Sequence, residues 1–459
     1  MSDPLSGKRV LILGLARQGT ALARWLCSIG AKVTVSDLRS EDQLADALAD
    51  LKDLSITTVL GEHPLVLLNS TDLVCLSGGV PVDAPIVQEA IRRGIRLSND
   101  AQLFLERCPC HVIGITGSAG KTTTTALVGK MMEADGWLPW VGGNIGNPLI
   151  ADLPYMRPRD VAVMELSSFQ LEVMTASPHG AAILNITPNH LDRHKTMEAY
   201  IEIKARILDN QLVGDVAVLG RDDPHAYALR RRVQHEVAYF SRTVPVDVGA
   251  WLVSEKLVCR PQFTQPMETV CTVDEIPLRG AHNVLNVLAA CAIAGAAGVS
   301  IPAMREAILT FQPVAHRLEV VREWMGITFV NDSIATAPER VVAALQAFED
   351  QPIVLLLGGR DKNLPWSEML ERAVRQCRAI ITFGEAGRMI AEKAAAERAL
   401  HGTDTRIEQA TTLDAAVLLA AQLADEGDVV LLSPGGTSFD AYRDFEQRGE
   451  AFREAVSRL

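Results

Sequence analysis

The chain has no surplus of basic residues: 44 Lys and Arg stand against 56 Asp and Glu, a formal net charge of -12. That balance argues against nucleic acid as the main partner. Anionic small molecules remain open to it, because a local nest of N–H groups binds phosphate even inside an acidic protein. Cysteines are sparse, eight in 459 residues. Cys108 and Cys110 are the one close pair, and their spacing is wrong for CxxC, so buried reduced thiols in a cytosolic protein are expected. There is no internal repeat and no low-complexity tract. Val10 to Ala16 follows Lys8 and Arg9 and resembles a short signal-peptide core. Arg17 and Gln18 follow it with no small-residue cleavage site, so it reads as a first strand. Val284 to Met304 carries no charge and is long enough to span a bilayer. It is built largely of Ala, Gly and Cys and broken by Gly298 and Pro302, so a helix packed inside a domain is expected, with no membrane insertion.

At 48% hydrophobic and 22% charged residues, the chain buries substantial cores, and its length suggests about three domains. The stretch that organises it is Val112-Ile113-Gly114-Ile115-Thr116-Gly117-Ser118-Ala119-Gly120-Lys121-Thr122-Thr123. An apolar strand runs into a Gly-rich turn, then Lys-Thr, then a helical pattern. Such a turn points backbone N–H groups into one concavity, and the helix N-terminus adds unsatisfied donors and partial positive charge. Lys121 would reach the β- and γ-phosphates, with the Thr122 hydroxyl on Mg²⁺. The strict P-loop needs four residues between its glycines. Gly117 lies too close to Gly120 and Gly114 one residue too far, so the match is to a shortened T-G-S-x-G-K-T.

Before this stretch, Lys8 to Leu13, a helix to about Ile29, and Ala31 to Ser36 ending at Asp37 read as the opening of a Rossmann-type βαβ unit. The middle Gly of the dinucleotide fingerprint is Ala16, which weakens a pyrophosphate approach there. Asp37 remains placed for a ribose or a base edge. A strand at Asp72 to Leu76 ends in Ser77-Gly78-Gly79, a second possible phosphate contact or a plain tight turn. A boundary is expected near Asp100 to Pro109. Beyond the P-loop, the strand at Val161 to Met164 runs into Glu165, the usual place for a Mg²⁺ ligand in a P-loop domain. A strand at Ala181 to Ile186 leads to His190, which follows a strand in the same domain. His194 has no such support and is left outside the site. Lys204, in a helical pattern, would alone pass for a solvated surface lysine. Asn283 and Asn286 share a helical face and either read an adenine edge or cap the helix. From Pro313 onward, strand–helix alternation predicts a second Rossmann-like parallel sheet with ligand groups at strand C-terminal ends.

In order, T-G-S-x-G-K-T, E-L-S-S-F-Q-L-E, N-x-T-x-x-H-L-D-R, Y-x-x-x-K-x-R-I, G-x-H-N-x-x-N, H-R-x-E and N-D-S-x-A-T resemble the Mur ligases of peptidoglycan synthesis over nearly the whole chain. Gly142-Gly143-Asn144-Ile145-Gly146 and Phe445-Glu446-Gln447-Arg448-Gly449 point to the members that add glutamate. The resemblance implies an α/β protein of three domains: residues 1–100 Rossmann-like for a UDP-sugar, 101–313 a central P-loop ATPase, 314–459 Rossmann-like for glutamate. It implies a cytoplasmic, monomeric enzyme that adds D-glutamate to UDP-N-acetylmuramoyl-L-alanine through an acyl phosphate, with ATP and two Mg²⁺ sites. Lys121, Glu165, His190 and Lys204 are then catalytic. Thr122 and Glu165 hold one Mg²⁺, and His190 and a carbamylated Lys204 serve the second. ATP matches Gly117, Ser118, Ala119, Gly120, Lys121, Thr122, Thr123, Asn283, Asn286, Arg317 and Asp332. The UDP-sugar matches Arg17, Gln18, Asp37, Arg39, Gly79, Asn144 and His190. Glutamate matches Thr336, Lys362, Ser438, Phe439 and Phe445. Three positions depart from the family pattern: Ala16 for Gly, Gly78 for Pro, and Ile334 for Lys. L-glutamate as the substrate and a folylpolyglutamate synthetase-like ligase are the alternatives, the latter opposed by the domain that precedes the P-loop.

Overall fold

The structure, a computed structural model, describes residues 3–189, 191–278, 280–312, 316–348, 351–362 and 364–459. The chain divides into two compact units, Met1–Pro277 with His282–Phe311, and Leu278–Ala281 with Gln312–Leu459. The first unit holds two sheets and the second holds one.

The first sheet is wholly parallel, in the order Thr57–Leu60, Lys32–Asp37, Arg9–Leu13, Leu73–Leu76, Arg96–Ser98. Its order reverses between Arg9–Leu13 and Leu73–Leu76, the switch point where ligand crevices open in such sheets. The turns after these two strands pack tightly. Gly14 has φ +90°, and a Cβ there would lie 2.9 Å from that of Ser77, so only glycine lets the turns meet.

The second sheet has nine strands, ordered Glu268–Thr272, Lys256–Arg260, Gly249–Val253, Glu236–Ser241, Val216–Gly220, Gly180–Ile183, His111–Thr116, Val161–Glu165, Pro139–Gly143. The P-loop strand His111–Thr116 is buried between two parallel neighbours, which suits its unbroken apolar run. The segment after Gln211 supplies five of these strands plus a short helix, Pro224–Ala228. The strand expected over Ala181 to Ile186 ends at Ile183. There the chain turns toward the phosphate loop, and the Asn185 carbonyl accepts from the Ser118 N–H at 3.0 Å. The uncharged run splits into helices Ala281–Ala297 and Ile301–Thr310. Gly298, at φ +96°, ends the first, and proline in the first turn starts the second. Among the described residues no helix is long and apolar enough to cross a membrane.

The second unit carries a six-stranded sheet, Glu319–Trp324, Ile327–Asn331, Val429–Gly435, Ile353–Gly358, Cys377–Phe383, Arg406–Gln409. The expected parallel sheet is there, with one difference: the edge strand Glu319–Trp324 runs antiparallel. Met325 and Gly326, at φ +50° and +75°, form the two-residue loop with positive φ that fits a hairpin to strand twist. Alternate residues fill separate cores on the two faces, Val330, Leu355 and Leu431 on one and Phe329, Leu356 and Val430 on the other.

Candidate active site

The phosphate loop joins strand His111–Thr116 to helix Lys121–Ala134. Gly120 caps the helix at φ +84°, and a Cβ there would lie 2.2 Å from Asn286 Oδ1. The loop is braced from the next strand. Asn185 accepts from the Ser118 N–H with its carbonyl and from the Ala119 N–H with Oδ1 at 2.9 Å. Ser118 Oγ donates to the Thr187 carbonyl and lies 3.2 Å from the Tyr200 hydroxyl. Asn286 donates to Asn283 Oδ1 at 3.0 Å, and both amides are buried. A cleft of about 220 Å³ opens beside them, lined by Leu184, Asn185, Gly220, Asp222, Phe240 and Asn286.

Two lysines converge on one carbonyl. Lys121 Nζ donates to Gly117 O at 2.9 Å and Lys204 Nζ donates to the same oxygen at 3.0 Å. Lys204 also donates to Thr116 Oγ1 at 3.3 Å and sits over the Tyr200 ring. It is 1% exposed, so the surface-lysine reading of its sequence does not hold. Burial first, and then Lys121, push its pKa well below the ordinary lysine range, with Glu165 opposing. Thr122 Oγ1 donates to Glu165 Oε2 at 2.8 Å, and Asn144 Nδ2 donates to Oε1 at 2.9 Å. The Thr122 hydroxyl and the Glu165 carboxylate are hard oxygens, the chemistry Mg²⁺ takes. Among the described residues no group of three or more His, Cys, Asp and Glu is gathered as a cation site, so a cation here would draw the rest of its shell from substrate phosphates and water, as Mg²⁺ does. His190 lies outside the described residues.

In the first sheet, Asp37 is buried and heavily engaged. It accepts from the Leu15 N–H at 2.7 Å and pairs with Arg39 at 2.8 Å. Burial would raise its pKa, but the Arg39 and backbone hydrogen bonds outweigh that and hold it at about 2. Arg17 reaches the Asn144 carbonyl at 3.1 Å. The side chain of Gln18 borders Gly78, and Gly79 is open.

In the second unit, the strand-end turns at 331–336, 358–362 and 435–439 gather at one end of the sheet, as the alternation led one to expect. Arg360 and Thr437 exchange backbone hydrogen bonds at 2.9 Å. Ser438 is buried, whereas Phe439 and Lys362 are exposed. Phe445 meets the His316 ring edge-on at 6.4 Å. Thr336 and Ile334 are half-buried, and Arg317 lies near Asp332. Asp332 accepts from Ser433 Oγ at 2.9 Å, yet burial raises its pKa to about 7. A carboxyl raised in the folded state loses stability as pH climbs from its unfolded value through the folded one. Asp332→Asn should therefore gain roughly 2–4 kcal/mol over wild type between pH 4 and 8. Urea melts across that range check it, and a gain independent of pH would refute the assignment.

Four residues carry contacts to which the sequence assigns no role. Asn185 opens the N-x-T-x-x-H-L-D-R motif but was given no role. His194, left outside the site, is 5% exposed and stacks between Phe169 and Tyr200. Its Nε2 lies 2.9 Å from Ser168 Oγ. Arg193 beside it pairs with Glu172 at 2.6 Å and donates to the Val80 carbonyl. Arg448, fully buried, donates to Ser333 Oγ at 3.0 Å, Ser333 O at 2.8 Å and Gly436 O at 3.1 Å. Burial lowers its guanidinium pKa to about 10. The F-E-Q-R-G motif was the signal for it.

Three family models match in order: Mur ligase MurD-like N-terminal domain over 8–99, Mur ligase middle domain over 115–294, and Mur ligase glutamate ligase domain over 316–436. A protein of Pelotomaculum thermopropionicum is 40% identical over 462 residues, covering 100% of this chain and 99% of its own. One of Koribacter versatilis is 39% identical, covering 99% and 98%. Both are named UDP-N-acetylmuramoylalanine–D-glutamate ligase. The chain belongs to the Mur ligase family. Like other Mur ligases it is ATP-dependent. Two solved Mur-type structures share the fold. UDP-N-acetylmuramate-alanine ligase MurC of Thermotoga maritima has a TM-score of 0.61 at 20% identity, covering 98% of this chain and 99% of its own. A pseudomurein peptide ligase type C of Methanothermus fervidus has 0.60 at 20%, with the same coverage.

Proposed function

We propose that this Mur ligase joins D-glutamate to UDP-N-acetylmuramoyl-L-alanine, acting as a cytoplasmic monomer in peptidoglycan precursor synthesis, with an acidic charge that argues against nucleic acid as its main partner. The observation that carries the reading is the convergence of Lys121 and Lys204 on the Gly117 carbonyl, with the Thr122–Glu165 pair on the same loop helix and neighbouring strand, in a chain similar along its whole length to D-glutamate ligases. The γ-phosphoryl group passes to the alanyl carboxylate oxygen and ADP leaves. The neutral amine of glutamate then attacks the acyl carbon, phosphate leaves, and the amine gives up a proton. A carboxylate accepts an amine only after its oxygen becomes a leaving group, and both reactants of the first step are anions. Lys121 and the N–H groups of Gly120, Lys121, Thr122 and Thr123 at the helix start neutralise that charge. Ser118 and Ala119, whose N–H groups serve Asn185, shape the loop.

Thr122 and Glu165 would hold one Mg²⁺, and His190 with Lys204 a second. Mg²⁺ when bound screens phosphate charge and orients the transferring group. Burial of Lys204 against Lys121 and a carbonyl favours its reaction as a free amine with carbon dioxide, giving a carbamate and a released proton. The adenine is assigned to the cleft beside Asn283 and Asn286; Arg317 and Asp332, in the second unit, are assigned to ATP by the family resemblance. Arg17, Gln18, Asp37, Arg39, Gly79 and Asn144 take the UDP-sugar. Domain limits of 1–100, 101–313 and 314–459 go with this division of labour.

Glutamate is assigned to Thr336, Lys362, Ser438, Phe439 and Phe445. Ile334 offers neither charge nor hydrogen bond where the family has Lys, so Lys362 carries most of the carboxylate recognition. A hydrogen bond to a charged group contributes about 1.5–3 kcal/mol. Lys362→Ala should therefore weaken glutamate use roughly 10–150-fold, with UDP-sugar and ATP use changed far less. An unchanged glutamate KM would move the carboxylate to the backbone near Ser438. The same Ile334 keeps L-glutamate as a second reading. Phosphate release with each enantiomer decides between them, and a folate substrate tests the more distant ligase class.

A further inference from the structure

Cys108 and Cys110, set aside in the sequence as two reduced thiols, sit beside a third sulfur. The Sγ atoms are 3.4 Å apart, and Met156 Sδ lies 3.9 Å from Cys108 Sγ. The cysteines occupy the link between helix Asp100–Leu105 and the P-loop strand, with Pro109 fixing one backbone rotation between them. Met156 closes the turn Leu153–Tyr155. Cys110 and Met156 are buried, while Cys108 is half-buried and gives a route from solvent.

A fourth group stands alongside. Strand pairing matches His111 with Val161, which sets Cys110 beside Asp160. Asp160 is 3% exposed. Its Oδ2 accepts from Trp140 Nε1 at 3.0 Å and the Arg157 N–H at 2.9 Å. Its Oδ1 is buried with no hydrogen-bond partner. Asp160 adds negative charge beside Cys110 and is not one of the donors; the three sulfurs alone make the cluster.

We propose that Cys108, Cys110 and Met156 bind one soft monovalent cation, Cu(I) or Ag(I). Two thiolates and a thioether are the donors such ions select, whereas Mg²⁺ and Ca²⁺ take oxygen. Structural zinc wants four ligands in a tetrahedron, and no further histidine or cysteine joins this group among the described residues. Metal–sulfur bonds of about 2.3 Å place three sulfurs in a trigonal plane about 4.0 Å apart. Met156 already stands near that spacing from Cys108, and the cysteine pair opens by roughly 0.6 Å to reach it. Binding releases two thiol protons to solvent and transfers no electron, so the ion arrives already reduced.

The test is anaerobic titration of the full-length protein with Cu(I) against a chromogenic Cu(I) chelator. Wild type should hold one equivalent, with X-ray absorption giving three sulfurs at about 2.3 Å. Cys108→Ser should lose that equivalent, and Met156→Leu should hold it roughly 10–100-fold more weakly. Cys108 is half-exposed and Leu conserves the Met volume, so both variants should keep ligase turnover as a control on folding. Failure of wild type to compete with the chelator, or equal uptake by Cys108→Ser, would overturn the site. So would a Cys108–Cys110 disulfide found by mass spectrometry in place of bound metal.

Discussion

Replacing Lys121 with alanine should lower phosphate release at least about 10²–10³-fold, the cost of removing one well-placed charge-stabilising donor. The lysine leaves the P-loop helix at its first position and folds back over the loop, on the Gly117 and Ser118 carbonyls. Those carbonyls hold its ammonium where phosphate oxygens would arrive. Phosphoryl transfer concentrates negative charge there, and the protein has little covalent work to do beyond positioning and neutralising it. Fold stability should change by only about 1 kcal/mol, the net worth of an ordinary hydrogen bond. The loss should therefore appear in kcat at saturating ATP, with an unchanged melting curve. More than about a tenth of wild-type turnover in Lys121→Ala would mean the loop is not a catalytic phosphate site.

Lys204→Ala should be nearly inactive for a different reason, and the manner of its rescue tells the reasons apart. As a carbamate, Lys204 supplies an anion, so acetate or formate should restore part of the activity. As an ammonium, it would be replaced by a small alkylamine instead. Wild type prepared in carbonate-free buffer should lose turnover and regain it on adding bicarbonate. The geometry underlies the expectation. Two ammonium groups on one carbonyl, one of them sealed from water, is a costly arrangement. Conversion of the buried one to an anion removes the repulsion. Intact activity in Lys204→Ala would return the residue to a structural role, and rescue by amines alone would make it a working ammonium instead of a carbamate.

Much of this was legible in the sequence because the signals are local. A positive-φ Gly120 before Lys-Thr, a glycine at the first switch-point turn, and an acid ending the apolar strand Val161–Glu165 each declare themselves within a few residues. What stayed hidden depends on chain segments meeting from far apart. Lys204 looks like any helical lysine until its helix packs under the loop 84 or more residues upstream, beside Thr116 and Gly117. Asn185 gains its role only because strand Gly180–Ile183 lies next to the P-loop strand. His194 shows no polar pattern of its own, and only packing sets it between two aromatic rings. The antiparallel edge Glu319–Trp324 escaped notice because its hairpin uses Met325 at a position where Asn or Gly is the usual sign.

A free amino acid is a poor organiser of protein. Glutamate has about ten non-hydrogen atoms, and the best small ligands gain at most about 1.5 kcal/mol from each. Ordering a single loop residue costs about 1–2 kcal/mol, so loose turns would consume most of that gain. The guanidinium of Arg448, locked between Ser333 and Gly436, freezes both strand-end turns when the chain folds. Their ordering entropy is then spread over the core of the whole unit and is not subtracted from each capture of substrate. Glutamate on the proposed assignment meets a receptor that is already rigid, and its affinity is set by contacts alone.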